Sequence, residues 1–116
     1  MATVELTKDN FLDTTEKNDM VVIDFWADWC RPCHMFAPIF EEASERYPDV
    51  VFGKIDTEAQ PELSEAYEIR SIPTVIFVRD GAIVHQQAGA LPPQILDRLI
   101  DQVRQLDMDA VRAEAE

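Results

Sequence analysis

The chain has 116 residues, of which 47% are hydrophobic, so it has enough apolar material for one domain with a core. Its 10 basic and 23 acidic residues give a formal net charge of −13 at pH 7. Nucleic-acid phosphates and anionic lipids attract basic surfaces, so this charge argues against both partners. No apolar run reaches membrane-spanning length, and residues 1–5 lack the pattern of a signal peptide, so we expect a cytoplasmic protein.

The apolar pattern predicts strands and helices that alternate along the chain. Val4–Leu6 is a candidate edge strand, and Thr7 is the expected N-cap of a first helix. The apolar run over 21–27 predicts a strand that is covered on both faces, and only Asp24 interrupts it.

After Cys30, apolar residues recur at helical spacing and predict a second helix that ends near Tyr47. Pro38 lies inside this helix and should kink it, because proline removes a backbone hydrogen bond. The remaining predicted elements are a strand over 50–55, a short helix over 61–67, a hairpin of strands over 74–78 and 83–87, and a helix that opens at Pro92-Pro93.

The predicted order of elements is βαβαβαββα, with parallel crossovers first and an antiparallel hairpin last. This order implies an α/β fold in which a central mixed sheet carries helices on both faces. We expect one domain over residues 1–106. The acidic tail over 107–116 is expected either to extend the last helix or to fray.

Cys30 and Cys33 are the two cysteines of the chain, and they lie where the buried strand gives way to the second helix. A helix N-terminus stabilises a thiolate, so this pair suits a reversible dithiol/disulfide switch. A zinc site or an iron–sulfur cluster needs more ligands than this pair supplies, and His34 and His85 complete no ligand set. A purely structural bridge would close a loop too small to restrain the unfolded chain.

Several further signatures surround the cysteine pair in a fixed order. They are Asp24-Phe25-Trp26-Ala27, Trp29-Cys30-Arg31-Pro32-Cys33, Pro38, Lys54, Ile69-Arg70-Ser71-Ile72-Pro73-Thr74, Gly81 and Gly89-Ala90. With them the chain resembles the thioredoxin family from about Val4 to Leu106. Arg31 departs from the family pattern, which has glycine there, and this leaves the redox potential and the substrate range open.

The resemblance implies a thioredoxin fold and a thiol–disulfide oxidoreductase that reduces protein disulfides and is recycled by thioredoxin reductase. Cys30 would be the exposed nucleophile, and Cys33 would be the resolving thiol that releases the substrate. The redox-active disulfide would serve without an organic cofactor or a metal. A monomer is the expected state.

Asp24 is a carboxylate in an otherwise apolar strand, so burial should raise its pKa and make it a proton carrier near neutral pH. The structural alternative is a buried aspartate that is satisfied by pairing with Lys54. In the family this pair lies beneath the active site, so both readings remain open. Lys54 is included in the predicted catalytic set as the residue that adjusts the pKa of Asp24.

The resemblance also implies a cis Ile72–Pro73 bond that presents the backbone of Ile72 to an extended substrate. Trp29, Arg31 and Pro32 complete the predicted substrate-binding set, and a structural set supports it: Trp26, Pro38 and Gly89. A charge about 6 Å from the sulfur of Cys30 should move the potential by only about 15 mV toward the oxidising side.

Two other functions compete with a disulfide reductase. An oxidase or isomerase would use the same chemistry, but the apparent lack of a signal peptide argues against it. The other is an interaction or holdase module on the same fold, whose partner binding would not need the cysteines. The acidic tail and the apolar rim around Trp29 leave that function open.

Overall fold

The computed structural model describes residues 2–115, and their five strands form one mixed sheet. The strands are β1 (Thr3–Glu5), β2 (Met20–Trp26), β3 (Val51–Asp56), β4 (Thr74–Arg79) and β5 (Ala82–Ala88). The helices are α1 (Phe11–Lys17), α2 (Arg31–Arg46), α3 (Pro61–Ala66), α4 (Pro93–Arg104) and α5 (Met108–Ala115). The predicted alternation of strands and helices is confirmed, and α5 is an addition to it.

The strands lie in the order β1-β3-β2-β4-β5 across the sheet. β3 is parallel to both β1 and β2, whereas β4 is antiparallel to its neighbours β2 and β5. Helices α2 and α4 cover one face, and α1 and α3 cover the other, so the predicted mixed sheet is confirmed. None of the helices within residues 2–115 is long and apolar enough to cross a bilayer.

Strand β2 occupies the centre of the sheet and is buried along nearly its whole length. Side chains alternate along a strand, so Met20 and Val22 pack beneath α2 and α4, while Val21 and Ile23 pack on the α1 and α3 side. Both faces are covered by helices, which explains why the segment reads as a continuous apolar run. Asp24 is fully buried within it.

Helix α2 begins directly after Cys30, which is its N-cap residue, with Pro32 in the first turn. The missing N–H of Pro32 costs nothing there, because the first backbone donors of a helix have no partner within the helix. The helix continues through Pro38 to Arg46, and Pro38 lies on its exposed side. Phe36 and Phe40 anchor the opposite side in the core.

The prediction that Thr7 caps the first helix is wrong. α1 begins only at Phe11, and Asn10 is its N-cap residue. The hydroxyl of Thr7 accepts from the N–H of Asp9 at 3.2 Å, while Asn10 Oδ1 accepts from the N–H of Thr7 at 2.7 Å. Thr7 therefore stabilises the turn before the helix, which short polar side chains also do.

The prediction that the tail extends the last helix or frays is also wrong for the described residues. The chain leaves α4 after Arg104 and forms the separate helix α5. Asp107 Oδ1 accepts from the N–H groups of Asp109 and Ala110, so this carboxylate caps the new helix. Arg112 lies 3.3 Å from the carboxylate of Asp80 and joins α5 to the hairpin turn.

Gly53 in the middle of β3 leaves room for a buried leucine. A Cβ atom at this position would lie 2.3 Å from Cδ1 and 2.8 Å from Cγ of Leu6, whose side chain is 1% exposed. We expect Gly53→Ala to lower the free energy of unfolding by about 1 to 3 kcal/mol, as overpacking of a core does. Urea unfolding of the oxidised protein measures this change.

The double variant Gly53→Ala/Leu6→Ala is the control for this mechanism. Truncating Leu6 removes the clash, so the double variant should lose less stability than the sum of the two single losses. Strictly additive losses would show that Gly53 is needed for another reason.

Candidate active site

The two cysteines form a disulfide at the start of α2, with their Cα atoms 5.2 Å apart. Cys30 precedes the first helical residue, and its Sγ accepts from the backbone N–H of Cys33 at 3.2 Å. The first turn of α2 carries no acidic residue that would oppose the positive end of the helix. This end favours a thiolate at Cys30 once the disulfide is reduced.

The expectation that Cys30 is the exposed cysteine is wrong for the disulfide form. Cys30 is 3% exposed and Cys33 is 2% exposed, because Ala27, Trp26 and Ile72 pack around them. Exposure therefore does not distinguish the two sulfurs, but position does. Cys30 lies outside α2 and touches the loop before β4, whereas Cys33 lies within the first turn of the helix.

The loop before β4 faces the disulfide. The Ile72–Pro73 bond is cis, and the carbonyl oxygen of Ile72 lies 3.7 Å from Sγ of Cys30. Gly89 N–H donates to the carbonyl of Pro73 at 2.8 Å. Gly89 has a φ of +100°, a conformation that side chains disfavour, so glycine allows the chain after β5 to support this loop.

Trp29 forms one wall of a groove beside the disulfide. Its side chain is 70% exposed, and its indole N–H donates to Oε1 of Glu58 at 3.0 Å. The groove has a volume of about 190 Å³ and is lined by Trp29, Thr57, Ser64, Ile69, Arg70, Ser71 and Ile72. No sequence signal marks Glu58, because it reaches Trp29 only through the fold, across 29 positions of the chain.

Asp24 lies beneath the helix that carries Cys33. It shares the sheet face of Met20 and Val22, which α2 covers, and its side chain is fully buried. Among residues 2–115, neither carboxyl oxygen has a hydrogen-bond partner. Burial raises the pKa of Asp24 to about 7, and the positive charge of Lys54 opposes this rise.

Lys54 is the register partner of Asp24 on β3, but it does not satisfy the carboxyl group by a hydrogen bond. Its Nζ instead lies over the ring of Trp26, 5.0 Å from the ring centroid. The alternative of an aspartate satisfied by direct pairing with Lys54 is therefore wrong. Lys54 acts on Asp24 through its charge alone.

Comparison with known proteins decides the family. The family model described as Thioredoxin matches residues 2–102. The chain belongs to the thioredoxin family. As a member it is a thiol–disulfide oxidoreductase, and Cys30–Cys33 is its redox-active disulfide.

Three similar proteins illustrate this membership. "Putative thioredoxin 2" of Streptomyces coelicolor is 57% identical over 111 residues, which cover 96% of this chain and 83% of the relative. Thioredoxin C-3 of Corynebacterium nephridii is 44% identical over 100 residues, which cover 85% of this chain and 69% of the relative. A mutant thioredoxin from Halobacterium salinarum with a solved structure is 33% identical in sequence. Its TM-score is 0.83, and the match covers 90% of this chain and 92% of the other.

The fold brings most of the predicted thioredoxin site residues to one edge of the sheet. Cys30, Cys33, Trp26 and Ile72 are in one packed cluster, and Lys54 reaches Trp26 from β3. Arg31 and Pro32 are exposed beside the disulfide, while Pro38 lies further along α2.

His34 takes part in a contact at the back of the site rather than in a ligand set. Its ring stands edge-on to Trp26 at 6.4 Å between centroids, and its Nε2 contacts the carbonyl oxygen of Asp28. Within residues 2–115 no cluster of three or more histidine, cysteine or acidic side chains could hold a metal ion.

The raised pKa of Asp24 predicts a pH-dependent loss of stability in the oxidised protein. In the unfolded chain this carboxyl ionises from about pH 4, whereas in the folded protein it stays neutral up to about pH 7. The contribution of this group to the free energy of unfolding is therefore fully present below about pH 4. It is lost progressively as the pH rises from about 4 through 7. Asp24→Asn removes the effect, so its stability relative to wild type should rise by roughly 2 to 4 kcal/mol between pH 4 and pH 8.

Urea unfolding of both oxidised proteins across this pH range measures the difference. Asp9→Asn is the matched control, because Asp9 is exposed and the same acid-to-amide change is then made in contact with water. Its stability relative to wild type should stay nearly constant with pH. A flat difference for Asp24→Asn as well would show that the folded carboxyl ionises as freely as the unfolded one.

Proposed function

We propose that this chain reduces disulfide bonds in proteins through attack by Cys30 and resolution by Cys33. The observation that carries the proposal is the placement of the disulfide at the N-terminus of α2, with Cys30 against the carbonyl of Ile72. A substrate backbone laid along Ile72, as a strand adds to a sheet edge, would bring its own sulfur to Cys30.

The reaction consists of two exchange steps. The thiolate of Cys30 attacks one sulfur of the substrate disulfide, forms a mixed disulfide, and releases the other substrate sulfur as a thiolate that takes up a proton. Cys33 then loses its proton and attacks the sulfur of Cys30. This step forms the Cys30–Cys33 disulfide and frees the second substrate thiol, so the substrate gains two electrons and two protons.

Asp24 is proposed as the group that takes the proton from Cys33. Its pKa of about 7 suits transfer near neutral pH, and no hydrogen-bond partner within the described part of the chain competes for its buried oxygens. Its place on the sheet face beneath α2 supports a route toward Cys33. Lys54 would adjust this acidity through its charge.

The proposed cycle needs two electrons to reopen the Cys30–Cys33 disulfide. Members of the thioredoxin family are generally reduced by thioredoxin reductase, and we propose such an enzyme as the partner of this chain. A reducing compartment such as the cytoplasm would suit this direction of electron flow. Arg31 would make the couple slightly more oxidising than a glycine would, by about 15 mV.

The two cysteine variants should fail at different steps of the proposed reaction. With dithiothreitol as electron donor and insulin as substrate, Cys30→Ser should lower the rate of reduction to that of dithiothreitol alone, because the protein has lost its nucleophile. Cys33→Ser should also lose most of its turnover. When this variant is reduced, freed of dithiothreitol and mixed with insulin, it should accumulate a mixed disulfide between Cys30 and the substrate. Non-reducing electrophoresis and mass spectrometry detect this species.

The reductase proposal would fail if Cys30→Ser kept its activity or if Cys33→Ser trapped no substrate. The double variant Cys30→Ser/Cys33→Ser addresses an interaction module on the same fold. Partner binding at wild-type affinity by the double variant would favour that module over an enzyme.

Asp24→Asn should slow the second exchange step more than the first. At pH 7 to 8 the release of substrate from the mixed disulfide should slow by at least about 10-fold, because the proton acceptor of Cys33 is lost. Attack by Cys30 should change less than about 3-fold. Rapid-quench analysis of a single turnover separates the two rates, and equal slowing of both steps would remove Asp24 from this role.

A further inference from the structure

Arg31 carries a positive charge beside the disulfide that no carboxylate within residues 2–115 neutralises. Seven of the ten basic side chains lie within 4.0 Å of a carboxylate oxygen: Lys8, Lys17, Arg46, Arg70, Arg79, Arg104 and Arg112. Lys54 lies over Trp26 instead. Over the described residues 2–115, Arg31 and Arg98 are therefore the exposed cations that lack such a partner, although acidic residues outnumber basic ones by 23 to 10.

The acidic side chains near the groove have other neighbours. Glu58 accepts the indole N–H of Trp29, and Glu68 lies 3.8 Å from the guanidinium of Arg70. The carboxylate of Asp28 lies 4.0 Å from Nε2 of His34. None of these three acids lies within 4.0 Å of Arg31, so its guanidinium is open to a carboxylate from outside.

The position of Arg31 places this charge where a bound substrate chain would pass. Arg31 directly follows Cys30, whose sulfur lies 3.7 Å from the carbonyl oxygen of Ile72. An extended chain advances about 3.3 Å per residue, so the neighbours of the attacked cysteine would lie roughly 3 to 7 Å from the sulfur. Arg31 is exposed at the first position of α2, directly next to Cys30, and a guanidinium there would lie within reach of this zone.

We propose that Arg31 selects protein disulfides in which a carboxylate side chain lies one or two residues from the attacked cysteine. The proposal rests on the proposed function, because it assigns a substrate class to the same site. A guanidinium matches a carboxylate with paired N–H donors, which a lysine ammonium at the same place would not reproduce. At a separation of about 4 to 6 Å in water the attraction amounts to about a 3- to 6-fold preference at low salt.

Peptide homodimers, each joined by one disulfide, test this selectivity. The peptides are otherwise uncharged and differ at one residue, which is glutamate or glutamine. This residue is placed in turn at each of the two positions before the cysteine and each of the two positions after it. Both halves of a dimer are identical, so the attacked cysteine always has the same neighbours. The selectivity is the ratio of the second-order rate constants for the glutamate and glutamine peptides, followed by tryptophan fluorescence.

The reduced wild-type protein should be more selective for glutamate than Arg31→Gln by about 3- to 6-fold at one or more positions. Changes in the reactivity of Cys30 affect both peptides equally and cancel in the ratio. Arg31→Lys should retain part of the preference. In about 1 M salt, where the screening length is about 3 Å, the preference should largely disappear.

Arg98→Gln is the matched control, since it removes another exposed arginine, on α4, that has no carboxylate partner within residues 2–115. It should keep the wild-type selectivity. Equal selectivity of wild type and Arg31→Gln at all four positions would overturn the proposal, as would an equal loss in Arg98→Gln. If neither protein reduced the glutamine peptides, the failure would lie in the proposed reductase function and not in the role of Arg31.

Discussion

The burial of β2 between two helical layers is the constraint on which the site depends. β2 pairs with β3 on one side and with β4 on the other, so it cannot shift without breaking both ladders. It is parallel to β3 and antiparallel to β4, so its end, the end of β3 and the start of β4 meet at one edge of the sheet. The disulfide, Lys54 and the cis Ile72–Pro73 bond are brought together there by this register.

The same burial raises the pKa of Asp24 and makes its ionised form costly for the stability of the fold. A carboxylate in the centre of an apolar strand destabilises the fold whenever it is ionised, and the positive charge of Lys54 offsets only part of this effect. An apolar side chain would make the strand more stable. A buried ionisable group that lowers the stability of the protein when it ionises, and that has a pKa suited to proton exchange, is typical of a functional site.

The charge distribution separates the site from the rest of the surface. Exposed ion pairs contribute little to stability, so the many pairs on the surface mainly neutralise charge. Arg31, next to Cys30, has no carboxylate partner in the described part of the chain, and it is exposed, so it contributes nothing to the core. The proposed role of this cation is its effect on what approaches the sulfur, which is why the proposal on acidic substrates concerns this residue.

The sequence by itself determined the local features of the protein. Helical and strand periodicity predicted the order of the elements, and the cysteine spacing together with Asp24 in an apolar run predicted the chemistry. These signals are readable because each depends on residues that are close together along the chain. The resemblance to the thioredoxin family added the cis bond at Ile72–Pro73.

Only the tertiary structure decided the contacts that join distant parts of the chain. Glu58 meets Trp29, Gly89 supports Pro73, and Lys54 lies over Trp26 because the strand order and register place them together. The burial of Cys30 was likewise invisible, since its cover includes Ile72, which lies 42 positions away. Periodicity states which face of an element is apolar, but it does not state which element covers that face, and the site depends on that second choice.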